Sequence, residues 1–160
     1  MKQSKHSSIP SQSELAAKAK LLDVPATQVI PDKSISEVQT LTNLSIDTLR
    51  YYEKIGLIDS IARDASGHRL YSDLDVERIR FVRRLRATGM PVSRITQYVQ
   101  LRAQGPDTAD SRLHMLLDHR EKLLRMQQEL ADSLNLLDSK ILYYRHLVGH
   151  KDTDRGTTKQ

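Results

Sequence analysis

Hydrophobic residues in the middle of the chain recur at helical spacing, and each run is bounded by a capping or turn residue. Ser34 and Glu37 have the spacing of a capping box at the start of one short run. Ser45 caps a second run, which Gly56 ends. Asn43 lies between the two runs and can turn the chain. Two short helices joined by a tight turn predict a helix-turn-helix.

The pattern changes after this motif. Turn residues around Gly67, flanked by hydrophobic pairs, predict a small β-hairpin, or wing. Ser72 and Asp75 form another capping pair and open a longer helix that Gly89 ends. Pro91 then begins a fourth helix, because proline is well tolerated at a helix start. This order of helices and hairpin predicts a mainly α-helical domain of the winged helix-turn-helix type.

A longer helix is predicted from about residue 110 to residue 148, where no Gly or Pro interrupts the chain. At ~1.5 Å per residue it would be roughly 58 Å long. Its apolar stripe mostly follows alternating steps of three and four residues. The residues expected on this stripe are Leu116, Leu123, Leu130, Leu134, Leu137, Ile141 and Tyr144. So narrow an apolar seam on so long a helix requires a partner helix.

The chain therefore divides into four predicted segments. They are a flexible leader (1–32), the winged helix-turn-helix domain (33–105), the dimerisation helix (108–148) and a polar tail (149–160). Within the leader, only Leu15–Leu22 could form a short helix, with Ser13 as its cap. Gly149 is expected to end the long helix.

Composition narrows the possible functions. The chain has 160 residues and no cysteine, which excludes disulfides, thiolate metal sites and thiol redox sensing. We find no secretory signal and no run of ~18 apolar residues, so we expect a soluble, cytoplasmic protein without membrane contact. The net charge is +5, and residues 33–104 account for +4 of it. A basic module beside a neutral tail is typical of a domain that meets a polyanion.

Two polar clusters could recognise nucleic acid. The second helix carries Thr48, Arg50, Tyr51 and Tyr52, and the wing carries the run 68–71. Arginine donates paired hydrogen bonds to phosphate or guanine, and tyrosine hydroxyls commonly bond phosphate oxygens. On spacing alone an alternative is equally consistent, in which Tyr52 packs in the core, Tyr51 is half-buried and Arg50 is a solvated surface charge.

The motifs taken together resemble the DNA-binding domain of the MerR family of bacterial transcription regulators. The resemblance extends from Ile35 to Leu101. It rests on the runs 35–38, 44–45, 48–57 (Thr-Leu-Arg-Tyr-Tyr-Glu-Lys-Ile-Gly-Leu), 67–72 (Gly-His-Arg-Leu-Tyr-Ser) and 88–90. The long terminal helix lies where the family has its dimerisation helix.

This resemblance implies a homodimer whose terminal helices pair as an antiparallel coiled coil. Such dimers bind promoter DNA together with RNA polymerase and distort the spacer between the two promoter elements. The residues that it assigns to DNA contacts are Thr48, Arg50, Tyr51, Tyr52, His68, Arg69, Tyr71 and Arg94. Arg94 would belong to a second wing, at the start of the fourth helix, where free backbone N–H groups suit a phosphate.

The chain departs from well-known members of the family. It lacks the cysteines of their metal and thiol sensors, and only residues 149–160 follow the predicted coiled coil, so it resembles a short branch without an effector domain. We expect no enzyme, cofactor or metal site, and the signal is unidentified. The alternative is a coiled-coil interaction module whose helix-turn-helix binds protein and not DNA.

Overall fold

The computed structural model describes residues 11–24 and 29–154, and the chain divides into two units after Met115. The first unit contains a short helix, a helix-turn-helix, a three-stranded sheet and two further helices. Its elements are α1 (Gln12–Leu21), β1 (Lys33–Ser34), α2 (Ile35–Thr42), α3 (Ile46–Lys54), β2 (Ala62–Arg63), β3 (Arg69–Tyr71), α4 (Asp73–Ala87) and α5 (Val92–Ala103). A 3₁₀ turn (Pro106–Thr108) precedes α6 (Ala109–Asp154), which begins in the first unit and forms the second.

The helix-turn-helix forms as its local signals predict. The Ser34 hydroxyl accepts from the Glu37 backbone N–H at 3.3 Å, and the Glu37 carboxylate accepts from the Ser34 N–H at 2.7 Å, which completes the capping box of α2. Asn43 takes the left-handed conformation, with φ of 53°, and turns the chain. The Ser45 hydroxyl caps α3 through the Thr48 N–H.

The wing is the hairpin of β2 and β3, and β3 also pairs with β1. The sheet order is β1-β3-β2 and both pairings are antiparallel. The wing matches the prediction, whereas β1 was not predicted. Because β1 contains only Lys33 and Ser34, it has no hydrophobic alternation by which it could be recognised.

Two arginines of α4 tie this helix to the end of α2. Arg80 donates from Nε and Nη2 to the Leu41 carbonyl at 3.3 and 3.0 Å, and Arg83 donates from Nη1 to the Thr42 carbonyl at 2.6 Å. The last carbonyls of a helix lack partners within the helix, and cations there also suit its dipole. These arginines therefore fix α2 against α4.

The core of the first unit lies among α2 to α5 and the wing. The side chains that are fully buried come from nearly every element; they are Val38, Thr42, Leu49, Leu57, Tyr71, Leu74, Ile79, Val82 and Ile95. The apolar positions of α3 and α4 that defined the predicted helices are thus the positions that build the core.

The two ends of the described chain differ from the prediction. Helix α1 begins at Gln12, and its cap is Ser11, not Ser13, because the Ser11 hydroxyl and Glu14 form a complete capping box. Helix α6 runs through Gly149 to Asp154. A glycine inside a helix costs only about 1 kcal/mol relative to alanine, so it need not end one. The predicted mobility of residues 1–10 and 25–28 of the leader falls outside the described residues, and so do residues 155–160 of the predicted polar tail.

Candidate nucleic-acid interface

Helix α3 buries one face and exposes the other. Leu49 and Tyr52 lie in the core, whereas Arg50 is exposed and Tyr51 is 52% exposed. Thr48 is half-buried, and its hydroxyl lies 2.8 Å from that of Ser45. No described residue bonds to the Arg50 guanidinium. The exposed face of α3 therefore presents a charged guanidinium and a phenol that can meet a ligand.

An ion pair fixes the wing to α3. Arg69 on β3 donates from Nε to Glu53 Oε2 at 2.6 Å, and the two side chains are only 22% and 15% exposed. Glu53 Oε1 also accepts from the Ile61 backbone N–H at 3.4 Å, just before β2. Strand β3 and the residue that precedes β2 are thus both connected to one carboxylate of α3, which sets the position of the wing relative to this helix.

Arg63 lies directly opposite Arg69 across the β2–β3 pair, so the two side chains share one face of the wing. Two like charges in this position repel each other. Glu53 compensates Arg69, and Arg63 donates from Nη1 to the Gly67 carbonyl at 2.8 Å. Arg63 is exposed, although the sequence analysis did not assign it to DNA binding. Its pairing with Arg69 was the missed signal.

The turn of the wing is stabilised by Asp64. Its carboxylate accepts from the backbone N–H groups of His68 and Ser66 at 2.8 and 2.9 Å, and these bonds lower the pKa of Asp64. His68 is exposed, and its Nδ1 lies 3.3 Å from Asp64 Oδ2. Gly67 adopts φ of +85°, a conformation that side chains disfavour. The predicted wing residue His68 is therefore held at the tip by its neighbours.

Two predicted contact residues lie in the core instead. Tyr71 is fully buried at the end of β3, and burial, followed by the charge of Glu53, raises the pKa of its phenol. Tyr52 is buried under Arg86, whose guanidinium carbon lies 5.8 Å from the ring centroid. The assignment of both tyrosines to DNA contacts is corrected on this ground, and the alternative in which Tyr52 is a core residue matches its placement.

The predicted second wing precedes and begins α5. Pro91 is the N-cap, and no side chain caps this helix. Arg94 is half-buried, and its Nη1 lies 3.5 Å from Gln97 Oε1. Met90 is buried, so it anchors this corner to the core. The uncapped first turn leaves backbone N–H groups facing outward, as an anion contact requires.

Helix α4 carries a further group of basic side chains, which was not predicted as part of the interface. Arg80, Arg83, Arg84 and Ala87 line an open cleft of about 340 Å³. Arg80 and Arg83 donate to carbonyls of α2, and both Arg83 and Arg84 are exposed. The clustering of arginines in residues 78–86 was visible in the sequence, but which of them the fold uses was not.

The predicted stripe of α6 is apolar but unpaired in the single chain. Leu116 and Leu123 are half-buried, and the remaining five predicted residues are exposed. Within residues 11–24 and 29–154, no helix is long and apolar enough to cross a membrane. In the same ranges, no three His, Asp or Glu side chains lie together as a metal site would require.

Two family models match the chain. The model described as MerR HTH family regulatory protein covers residues 33–101, and the model described as MerR, DNA binding covers residues 76–139. These ranges include the helix-turn-helix, the wing, α4, α5 and most of α6.

Named relatives and solved structures agree with this family. The HTH-type transcriptional regulator AdhR of Bacillus subtilis is 34% identical over 91 residues, which cover 57% of this chain and 65% of AdhR. The crystal structure of a MerR family transcriptional regulator from Listeria monocytogenes has 32% identity and a TM-score of 0.75 over 78% of this chain and 96% of that one. HiNmlR, a MerR family regulator lacking the sensor domain and bound to promoter DNA, has 27% identity and a TM-score of 0.67 over 72% and 92%. The chain therefore belongs to the MerR family of DNA-binding transcriptional regulators, and not to a family of enzymes.

Proposed function

We propose that this chain binds promoter DNA as a homodimer and regulates transcription by distorting the spacer between the elements that RNA polymerase recognises, in response to an unidentified signal. Each copy contributes α3 and the wing to the DNA, and α6 to the dimer. The Arg69–Glu53 pair is the observation that carries this proposal, because it holds α3 and the wing as one surface.

The exposed side chains of that surface have separate roles in our proposal. Arg50 and Tyr51, with Thr48 beside them, contact the DNA from α3. Arg63 and His68 on the wing contact the phosphate backbone, and Arg69 holds the wing in position through Glu53. Arginine recognises both guanine edges and phosphates by paired donors, and phosphate contacts position a protein along the duplex without reading its sequence. Arg94, at the start of α5, adds a flanking phosphate contact.

Dimerisation is proposed for the apolar stripe of α6. Leu130 and Leu137 are 62% and 57% exposed in the single chain, and Leu134, Ile141 and Tyr144 are also exposed. Burying such side chains is worth about 1.5–3 kcal/mol each, so a second copy of the helix is favoured. An antiparallel pair would hold two DNA-binding modules apart, as half-sites spaced by about 34–36 Å or a multiple require.

Distortion of the spacer is the proposed route from binding to transcription. Two rigid modules on one dimer can engage both half-sites only if the intervening DNA adopts the matching bend and twist. Bending a DNA site of about 20–30 base pairs costs on the order of 1–6 kcal/mol, and the contacts of both modules must supply this free energy. The family neighbour bound to promoter DNA supports the DNA partner, and RNA polymerase would occupy the same promoter.

The DNA proposal is tested by fluorescence anisotropy with the DNA upstream of the protein's own gene. We expect Arg50→Ala to weaken binding by roughly tenfold to a hundredfold, the loss of one good bidentate contact. Lys122→Ala removes an exposed charge from α6 and is the matched control, with affinity unchanged. Equal affinity of the two variants would contradict the role of Arg50. A folded dimer without any salt-dependent DNA affinity would favour a protein-binding module instead.

The dimer proposal is tested by sedimentation of two neighbouring leucine variants. Leu137 is on the predicted stripe, whereas Leu136 is off it and is 75% exposed. We expect Leu137→Ser to shift the protein toward the monomer at micromolar concentration, and Leu136→Ser to leave the dimer intact. A monomeric wild-type protein at that concentration, or equal behaviour of the two variants, would refute the assignment.

A further inference from the structure

Two buried arginines share one carboxylate within the first unit, and the segment after α1 connects them to a third buried arginine. Asp59 Oδ2 accepts from Arg78 Nη1 at 2.9 Å and from Arg102 Nη2 at 2.6 Å. The side chains of Arg78, Arg102 and Arg112 are 8%, 5% and 9% exposed. Buried charges are stable only when they are paired and hydrogen-bonded, so this group needs more anions than Asp59 alone.

The segment that follows α1 supplies the missing acceptors. Arg112 donates from Nη1 to Asp23 Oδ1 at 2.6 Å. Arg78 donates from Nε to the Leu22 carbonyl at 3.2 Å and from Nη2 to the Val24 carbonyl at 2.7 Å. Three consecutive residues of the leader, Leu22 to Val24, therefore bond to Arg78 or Arg112, and Asp23 contributes a carboxylate.

Asp23 fills this site incompletely. Its side chain is 52% exposed, whereas Arg112 is buried, so the carboxylate reaches the guanidinium from the surface. The Arg112 Nε is buried, and none of the described groups accepts from it. A buried donor without an acceptor costs about 1–3 kcal/mol. A carboxylate that is free to orient can accept from two guanidinium nitrogens at once.

The surroundings of Arg112 also suit a carboxylate. Tyr98 is buried in α5, and burial followed by the charge of Asp23 raises the pKa of its phenol, so the ring is neutral beside the site. Asp75 is the other acid that acts on Arg78, but its carboxylate is engaged by Ser72 at the start of α4. Without Asp23, Arg78 and Arg102 would keep Asp59, whereas Arg112 would have no directly bonded carboxylate among the described residues.

We propose that Arg112, together with Arg78 and Arg102, forms a carboxylate-binding site that Asp23 occupies in the free chain and that a small carboxylate occupies in its place. The site lies on α4, α5 and the first turn of α6, and its ligand class is a monocarboxylate small enough to replace one aspartate side chain. Because ligand and Asp23 compete, the apparent affinity of the wild-type chain is reduced by the fraction of molecules in which Asp23 is bound. The proposal does not depend on DNA binding.

Chemical rescue of the full chain tests this site. In Asp23→Ala the melting temperature is expected to fall by about 5 °C, and sodium acetate should restore it with a saturating dose dependence. Acetamide and sodium chloride at equal concentration should not restore it, because neither offers a carboxylate. In the wild-type protein the rise in melting temperature with acetate should be smaller than in Asp23→Ala. It should also require an acetate concentration roughly tenfold higher, because Asp23 competes with acetate for the site.

Two variants separate this site from a general effect of salt. Asp107→Ala removes an exposed carboxylate of the 3₁₀ turn, and its melting temperature should not respond to acetate beyond the response of the wild type. Asp23→Ala with Arg112→Gln should lose the rescue. If the double variant does not fold, Asp23→Asn, which keeps the size of the side chain, should still be rescued by acetate and not by acetamide. Acetate shifts that are equal in all variants, or absent from Asp23→Ala, would overturn the proposal.

Discussion

The Arg69–Glu53 pair provides the sharpest test of how the wing is held. The two charges are about four-fifths removed from water, between the exposed and the buried extreme. Exposed pairs are worth about 0–1 kcal/mol, whereas breaking a buried pair costs about 3–5 kcal/mol. We therefore expect a coupling free energy of about 2 kcal/mol between the side chains. Coulomb's law gives a similar value. The attraction between two such charges is about 4 kcal/mol at an effective dielectric constant of 20, and the hydration that the separated side chains regain offsets part of it.

A double-mutant cycle measures this coupling. The free energy of unfolding in urea is determined for the wild type, Glu53→Gln, Arg69→Gln and the double variant, at one protein concentration because the chain is proposed to dimerise. The Arg125–Glu121 pair of α6 is the matched control. It has the same 2.6 Å distance, but its side chains are 62% and 71% exposed. Its coupling should not exceed about 0.5 kcal/mol.

Two results of this cycle would contradict the expected coupling. A coupling below about 0.5 kcal/mol for Arg69 and Glu53 would mean that the wing is positioned by backbone pairing alone. Equal couplings for the two pairs would mean that burial does not strengthen the bond. If the reasoning holds, Glu53→Gln should also weaken DNA binding, although Glu53 is an acid, because the wing is no longer fixed to α3.

Three further outcomes are expected. Tyr71→Phe removes a buried hydroxyl to which no described group bonds, so the free energy of unfolding should stay unchanged or rise by up to about 1 kcal/mol. The DNA affinity measured by anisotropy should not change. A clear loss of affinity would show that Tyr71 contacts DNA. Ser72→Ala breaks the capping box with Asp75 and should cost about 1 kcal/mol in urea unfolding, whereas Ser72→Thr, which keeps the hydroxyl, should cost less. The Ser34 hydroxyl and backbone N–H lower the pKa of Glu37 in the folded chain. The ionised Glu37 carboxylate therefore stabilises α2 above pH 4.5, and this stabilisation is lost as the pH falls through the folded pKa. Unfolding curves measured over a series of pH values would show the loss.

The elements that the sequence predicted are those with local chemical signals. Ser34, Ser45 and Ser72 accept bonds from residues three positions later, so their helices could be recognised from a few neighbouring letters. Asn43 and Gly67 likewise mark turns by their own backbone preference. In each case the sequence distance between signal and effect is at most four residues.

The features that the sequence did not predict depend on distant residues. Strand β1 forms because Lys33 and Ser34 meet Tyr71 and Leu70, nearly forty positions away. The burial of Tyr71 follows from the same packing, and a tyrosine at that position fits both a phosphate contact and a core. The binding of Leu22–Val24 to Arg78 spans more than fifty positions, so it left no local pattern either.

The arginines that hold the fold together change what the net charge means for DNA binding. Of the twelve basic residues between positions 33 and 104, six already serve carboxylates or carbonyls of other parts of the chain. They are Lys33, Arg69, Arg78, Arg80, Arg83 and Arg102. Each module therefore has at most about six cations to displace counterions from a duplex, so the logarithm of its affinity should fall with the logarithm of salt at a slope no steeper than about −5, and not near −11.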